Sequence, residues 1–187
     1  MSVLAELRRA TKARHDDLEA NAGILERLAG HAGRRRLLGV FLSLYEPAER
    51  ALRPHLATIP DYDFEVRLKT PALRRDLRSL DAHAEMPAPA APPLLTSRAH
   101  ALGFAYVLEG STLGGRVIRK RLRAAGLPLE GTGFFDIYGP ETGRRWQDFC
   151  AVLERECADR AAEAVAGALL GFDYVRAGLV GEAAHTS

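Results

Sequence analysis

The sequence predicts an all-α protein in which several helices pack as one bundle. Apolar residues recur at spacings of three and four, the period of a helix with one buried face. Capping residues, glycines and prolines mark the ends of most of these segments. No segment alternates apolar and polar residues convincingly as a half-buried strand would, and no internal repeat is present. The chain of 187 residues therefore suits one domain over residues 1–187, with the last few residues expected to be disordered.

The first predicted helix is amphipathic. Leu4, Leu7, Thr11, His15 and Leu18 repeat at spacings of three and four. His15 therefore lies on the less polar stripe of this helix, where we expect it to be buried.

The second predicted helix runs from about Gly33 to Leu56, after a break and a turn at Gly23 and Gly30. We expect Pro47 and Pro54 to kink or end it, because proline removes a backbone donor and clashes with the preceding turn.

A short helix is predicted after the turn-like residues 58–69. Thr70 has the character of its N-cap, and Pro71 then occupies the first helical position. Residues 86–93, MPAPAAPP, form an extended connector rather than a domain boundary.

The most informative segment is the next predicted helix, which contains residues 103–122, GFAYVLEGSTLGGRVIRKRL. Thr96 or Ser97 is predicted to cap it, and Gly126 with Pro128 to end it. An irregular loop around Phe134 and Phe135 follows.

The last predicted helical region runs from about Glu141 to Leu179. Glycine is a poor helix former, so a break is expected near Gly167–Gly171.

Gly110, Ser111, Gly114 and Gly115 share one strip of the glycine-bearing helix, because residues four apart lie on the same face. Each glycine inside a helix lowers helix stability by roughly 1 kcal/mol relative to alanine. We therefore expect the glycines of this strip to serve packing or binding. A strip without side chains admits either a closely packed second helix or a planar ligand such as a porphyrin. Both alternatives stay open on this motif alone.

Composition narrows the class of protein. A formal net charge of +2 does not indicate a nucleic-acid partner. The basic runs Arg34–Arg36 and Arg116–Arg123 are interpreted mainly as solvated helix faces, with an anionic small ligand as the alternative for a few of them. The sequence contains no run of about 18 uncharged apolar residues, so no membrane span is predicted. The N-terminus has no signal-peptide pattern, and Cys150 and Cys157 are too far apart along a helix for a disulfide. A cytoplasmic protein is expected.

The histidines favour a single-ligand site over a di-iron centre. Of the six, only His185 on the tail has a glutamate three residues before it (Glu182), whereas a di-iron centre requires such a motif from each of two helices. Only His15 lies well inside a strong amphipathic stripe, since the other five sit near helix ends, a linker or the tail: His31, His55, His83, His100 and His185. One histidine opposite a helix that presents glycines is an arrangement that holds a single haem iron.

Two segments resemble the haem oxygenase family. LRRATKARHDDLE, which contains His15 and Glu19, is similar to the proximal helix of that family. YVLEGSTLGGRVI, residues 106–118, is similar to the distal helix, most closely in the bacterial biliverdin-producing branch. The order of the two segments and their separation also agree, so the resemblance extends over essentially the whole chain. It implies a multi-helix bundle with haem between a proximal N-terminal helix and a kinked, glycine-rich distal helix.

The resemblance implies roles for individual residues. His15 matches the axial ligand of the haem iron, and Glu19 the carboxylate that helps set the hydrogen bonding of the imidazole. Gly110, Gly114 and Gly115 match the distal glycines that cross the haem face. Arg8 matches a basic position that meets the haem propionates, where a guanidinium suits bidentate pairing. For both Glu19 and Arg8 an ordinary solvated side chain is the alternative.

One departure from the animal enzymes concerns Ser111. They carry an aspartate at this position of the distal helix, whereas serine is usual in the bacterial branch. A hydroxyl anchors a water molecule but does not accept a proton at neutral pH. Backbone carbonyls at Gly110 and ordered water would then deliver protons, which leaves the site of ring opening undecided.

The implied activity is oxidative cleavage of haem, which serves as both substrate and cofactor, to biliverdin, carbon monoxide and ferrous iron. It uses O2 and electrons from an external reductase or ferredoxin-type donor protein. A bilin-binding photoreceptor is an expected recipient of biliverdin, with iron acquisition as the alternative purpose. Two other classes stay open: a non-degrading haem carrier or sensor of the same fold, and a structural bundle whose glycines serve only helix packing.

Overall fold

The computed structural model describes residues 2–80 and 87–181, and these form an all-α bundle. His83, Met86, His185 and the C-terminal residues 182–187 lie outside the described residues. The α-helices are α1 (Val3–Asn21), α2 (Ile24–Ala29), α3 (His31–Leu56), α4 (Thr70–Ser79), α5 (Arg98–Ala124), α6 (Thr142–Cys157) and α7 (Ala161–Gly181). Short 3-10 helices lie at Phe64–Arg67, Gly133–Asp136 and Gly139–Glu141. The described residues contain no strand, so the predicted fold class is confirmed.

The two prolines of the second predicted helix do not end it. Helix α3 runs through Pro47 and Pro54 to Leu56. Proline at position 47 has no N–H for the Ser43 carbonyl four residues earlier, and that carbonyl accepts from the backbone N–H of Ala90 at 2.9 Å instead. The connector after residue 86 thus satisfies an acceptor that Pro47 leaves open.

The short helix α2 was not predicted.

The predicted N-cap of α4 is wrong. Thr70 is the first residue of the helix rather than its cap, and its buried side-chain oxygen has no hydrogen-bond partner. The carboxylate of Glu49 takes the capping role, since its Oε1 accepts from the backbone N–H groups of Lys69 at 2.5 Å and Thr70 at 3.2 Å. A cap supplied from another helix leaves no local sequence signal.

Helix α5 is continuous from Arg98 to Ala124, so any bending at its glycines takes place within an unbroken helix. The prediction of Ser97 as its N-cap is confirmed, because the Ser97 side chain accepts from the backbone N–H of His100. Gly126 follows the helix with a φ of 68°, a left-handed conformation that favours glycine.

The break predicted at Gly167–Gly171 is wrong, because the chain instead turns between Cys157 and Ala161. The glycine at 167 serves helix packing: a Cβ there would lie 1.9 Å from the His100 carbonyl oxygen on α5. Gly103 on α5 is equally close to α7, since its Cβ would lie 1.8 Å from the Ala164 oxygen. These contacts between backbones seat α7 directly against α5 and offset the low helix propensity of glycine.

Two further predictions concern features outside this packing. Both cysteines are free thiols, as expected. Burial raises the pKa of Cys150 to about 11 and that of Cys157 to about 12. Within residues 2–80 and 87–181, no helix has the length and apolar character needed to cross a membrane.

Candidate functional site

A cavity of about 1020 Å³ opens between the first two helices, the glycine segment of α5 and helix α7. This volume is at the upper end of the range for small-molecule sites. The cavity is lined by all seven residues singled out in the sequence: Arg8, His15, Glu19, Gly110, Ser111, Gly114 and Gly115. The fold therefore brings both ends of the predicted site together, although α1 ends at Asn21 and α5 begins only at Arg98.

His15 faces this cavity from α1 and is not buried as expected. Its side chain is 54% exposed, and its ring packs edge-on against Phe172 of α7 with centroids 6.0 Å apart. The cavity itself is the reason for the exposure, since His15 is one of its lining residues. An imidazole in this setting is accessible to a ligand.

Ion pairs hold α1 against α7 on both sides of His15. Arg14 Nε lies 2.8 Å from Asp173 Oδ1, and Arg176 Nε lies 2.6 Å from Asp17 Oδ2. Such exposed pairs contribute little stability individually, but they fix the position of the helix that carries the imidazole.

Glu19 lies one turn beyond His15. Its Oε2 is 3.7 Å from His15 Nδ1, which is too long for a hydrogen bond, and its side chain is 72% exposed. The carboxylate is thus a neighbour of the imidazole without a direct bond to it.

The opposite wall of the cavity is the glycine strip of α5, and its three glycines differ in their surroundings. A Cβ at Gly114 would meet nothing within 4 Å, and one at Gly110 would lie 3.7 Å from the Trp146 ring. A Cβ at Gly115 would lie 2.5 Å from the Phe135 carbonyl oxygen. Gly114 therefore leaves open space, Gly110 lies within contact range of the Trp146 ring, and Gly115 allows close packing of the loop that contains Phe135. Close packing thus accounts for Gly115, although its neighbour is a 3-10 segment and not a second α-helix, while the planar-ligand alternative stays a prediction for the other two glycines.

Ser111 lies between these glycines with its side chain exposed to the cavity. Its hydroxyl donates to the Leu108 carbonyl oxygen at 2.8 Å. The Tyr45 hydroxyl from α3 lies 3.1 Å from Ser111 Oγ. The polar group of the glycine strip is thus held from two sides.

Arg8 occupies the end of the cavity near Tyr106. Burial raises the pKa of Tyr106, and Thr11 and Arg8 lower it by smaller amounts. The guanidinium of Arg8 is exposed, so it is available to an anionic group at the rim of the cavity.

Sequence reasoning missed most of the aromatic wall. The cavity is lined by Phe41, Tyr45, Tyr106, Phe134, Phe135, Trp146 and Phe172. It also missed the cation Lys69, whereas Arg121 belongs to the basic run for which an anionic ligand was an alternative. Phe41 and Tyr45 are buried residues of α3, and spacing within one helix does not show which buried residues border a cavity.

These residues fit a flat, largely apolar, anionic ligand. The open floor at Gly114 admits a planar group, the aromatic wall supplies apolar contact, and arginine side chains supply positive charge. His15 is an exposed nitrogen ligand on the facing wall. Fold and site together define an all-α protein with a large pocket between a histidine-bearing helix and a glycine-bearing helix.

Comparisons with known proteins agree with this class. The family model described as "Heme oxygenase" matches residues 1–176. A heme oxygenase of Xanthomonas campestris pv. campestris (strain 8004) is 34% identical over 171 residues, which cover 90% of this chain and 94% of the relative. The chain belongs to the haem oxygenase family, and the resemblance found in the sequence is confirmed.

Solved structures support the fold. The heme oxygenase of Neisseria meningitidis, crystallised with NO and CO, superposes with a TM-score of 0.75 at 19% identity, covering 96% of this chain and 90% of that one. The heme oxygenase of Leptospira interrogans gives the same TM-score and identity, covering 97% of this chain and 100% of that one.

Proposed function

We propose that the protein binds haem in this cavity and cleaves it oxidatively to biliverdin, carbon monoxide and ferrous iron. The observation that carries the proposal is the exposed imidazole of His15 facing the open backbone of Gly114 across one cavity. Membership of the haem oxygenase family supports the same activity. When bound, haem supplies both the iron that binds and reduces O2 and the porphyrin ring that is opened.

Each residue has a distinct part in this proposal. The imidazole of His15 would hold the haem iron, and Glu19 sets the electrostatic environment of that imidazole at a distance of 3.7 Å. Gly110 and Gly114 let the ring approach the distal backbone. Gly115 acts indirectly by seating the loop that carries Phe135. Arg8 pairs with a propionate.

Ser111 anchors water on the distal side. Its O–H donates to the Leu108 carbonyl oxygen and its oxygen accepts from the Tyr45 hydroxyl, which leaves one acceptor site for a cavity water. The hydroxyl orients that water without giving up its own proton at neutral pH. The aromatic lining excludes other water from the ring faces.

Several features of the proposal rest on the sequence alone. These are the external reductase or ferredoxin-type electron donor, delivery of biliverdin to a bilin-binding photoreceptor, and a cytoplasmic location.

A spectroscopic titration tests the activity. Adding hemin to the purified protein is expected to give a saturable, sharp Soret band, and adding reductant under oxygen to convert it to a green verdin product. A Soret band that persists under these conditions would identify a non-degrading carrier or sensor. Absence of saturable binding would identify a structural bundle.

A further inference from the structure

A group of buried charges lies beside the glycine segment of α5. Glu109, immediately before Gly110, is only 3% exposed, and so is Lys69, while Arg67 is 5% exposed. Charged side chains are rarely this deeply buried unless they are paired. This group plays no part in the mechanism described above.

The carboxylate of Glu109 accepts from three side chains of the group, and Lys69 Nζ also donates to the Tyr138 hydroxyl at 2.9 Å. Arg67 Nη1 donates to Glu109 Oε2 at 2.8 Å, and Lys69 Nζ donates to Oε1. The hydroxyl of Tyr138 donates to the same Oε1 at 3.1 Å. Burial and the neighbouring Glu109 charge raise the pKa of Tyr138, so this phenol keeps its proton and acts as a donor.

The two cations are themselves fixed by backbone groups. Arg67 Nε donates to the Tyr62 carbonyl oxygen at 2.7 Å, and Lys69 Nζ donates to the Arg67 carbonyl oxygen at 2.7 Å. Glu109 is therefore held by the segment before α4 and by the loop that contains Tyr138. A buried ion pair often adds little net stability, but it requires one specific geometry.

Two residues of the glycine segment offer no side chain that could anchor the cavity side of α5. Gly110 and Gly114 have no side chains to interlock with neighbours, so they do not resist rotation of the helix about its axis. Ser111 follows Glu109 by two residues, or about 200° around the helix. Glu109 and Ser111 thus point to nearly opposite sides, and any turn of Glu109 moves Ser111 across the cavity wall. Lys69 also lines the cavity, so the group borders the site itself.

We propose that Glu109 is a positioning residue whose contacts with Arg67, Lys69 and Tyr138 fix the rotation of the glycine segment, and so determine which edge of bound haem lies beside Ser111. The proposal rests on the haem-cleaving function and predicts that Glu109 controls the position of ring opening.

The test compares the products of wild type and Glu109→Gln. The neutral amide keeps the size of the side chain but weakens both charged contacts. We expect the ratio of biliverdin isomers to change several-fold. A second readout needs no turnover: the pH at which the absorption spectrum of the ferric haem complex changes from the water-ligated to the hydroxide-ligated form should shift, because the distal wall has moved.

Glu49→Gln is the matched control. Glu49 is also a buried glutamate, but it accepts from backbone N–H groups of Lys69 and Thr70 and does not line the large cavity. Its amide retains an acceptor for those groups. We expect the wild-type isomer ratio and the wild-type spectral transition in this variant, whatever happens to its thermal stability.

Tyr138→Phe is the milder variant for the case in which Glu109→Gln does not fold. It removes one neutral donor to Glu109 and should change both readouts in the same direction but less. Unchanged isomer ratio and unchanged spectral transition in the folded variants, with only a lower melting temperature, would overturn the proposal. Failure of the wild-type protein to form verdin would instead refute the haem-cleaving function, and the spectral transition would still test the positioning of the distal wall.

Discussion

The hydroxyl oxygens of Tyr45 and Ser111 lie 3.1 Å apart and join α3 to the glycine segment of α5. The Ser111 hydroxyl donates to the Leu108 carbonyl, so its oxygen accepts from Tyr45. Burial raises the pKa of Tyr45 to about 12, which keeps the phenol protonated at neutral pH. Ser111 is consequently a fixed polar point on an otherwise bare helix face, at the position where animal haem oxygenases carry an aspartate.

Ser111→Ala is expected to slow ring cleavage several-fold without abolishing it. Loss of one hydrogen bond corresponds to about 1 kcal/mol, and backbone carbonyls and remaining waters still deliver protons. Single-turnover verdin formation measures the effect. Tyr45→Phe removes the same contact from the other side, so the double variant should be no slower than the worse single variant. A complete stop would make the Ser111 hydroxyl indispensable, and an unchanged rate would reduce it to a small residue that keeps the strip open.

His15→Ala is expected to leave the fold intact and to remove the histidine-ligated haem spectrum together with most turnover. The exposed side chain contributes little to stability, so the free energy of unfolding should change by no more than about 0.5 kcal/mol. Glu19→Gln is the control, since it alters the neighbour at 3.7 Å and retains the ligand. A wild-type spectrum and wild-type verdin formation in His15→Ala would refute the assignment.

Gly114→Leu and Gly115→Ala separate the two uses of the glycine strip. Leucine at 114 enters open space and improves helix propensity, so the haem-free protein should gain up to about 1 kcal/mol, while haem binding or turnover falls by steric exclusion. Alanine at 115 would press against the Phe135 carbonyl and should destabilise the haem-free protein by roughly 1–3 kcal/mol. Urea unfolding and hemin titration of both variants provide the measurements. Strong destabilisation by Gly114→Leu with intact haem binding would show that this glycine serves packing instead.

Local chemistry made several of these features predictable. Ser97 is a cap because its own side chain reaches the N–H of His100 three residues later. His15 and Gly114 were predicted from the helical period, which places residues on faces within one helix. All seven predicted residues line one cavity because α1 and α5 turn the faces that carry them toward each other.

Contacts between distant segments were not predictable in the same way. Glu109 pairs with Lys69, 40 residues earlier, and neither position carries a local signal of the other. Gly167 has the appearance of a helix breaker until its contact with His100 on α5 is known. Arg34 belongs to a run of arginines that suggests a solvated face, yet it is buried and donates to the carbonyl oxygens of Leu28 and Glu130.

Glu49 predicts a pH dependence of stability. Burial raises the pKa of Glu49 above its ordinary value of 4.5, although the N–H groups of Lys69 and Thr70 partly oppose the shift. The folded protein therefore holds this proton more tightly than the unfolded chain. The associated stability is present below pH 4.5 and is lost as the pH rises through the higher folded-state pKa. Glutamine does not titrate, so the free energy of unfolding of Glu49→Gln minus that of wild type should become more positive from pH 4.5 toward neutrality. Urea unfolding over a pH series measures the difference. The free energy of unfolding of Asp76→Asn minus that of wild type should also become more positive as the pH rises, since burial raises the pKa of Asp76 as well. A difference that stays constant or falls with pH in Glu49→Gln would contradict the raised pKa.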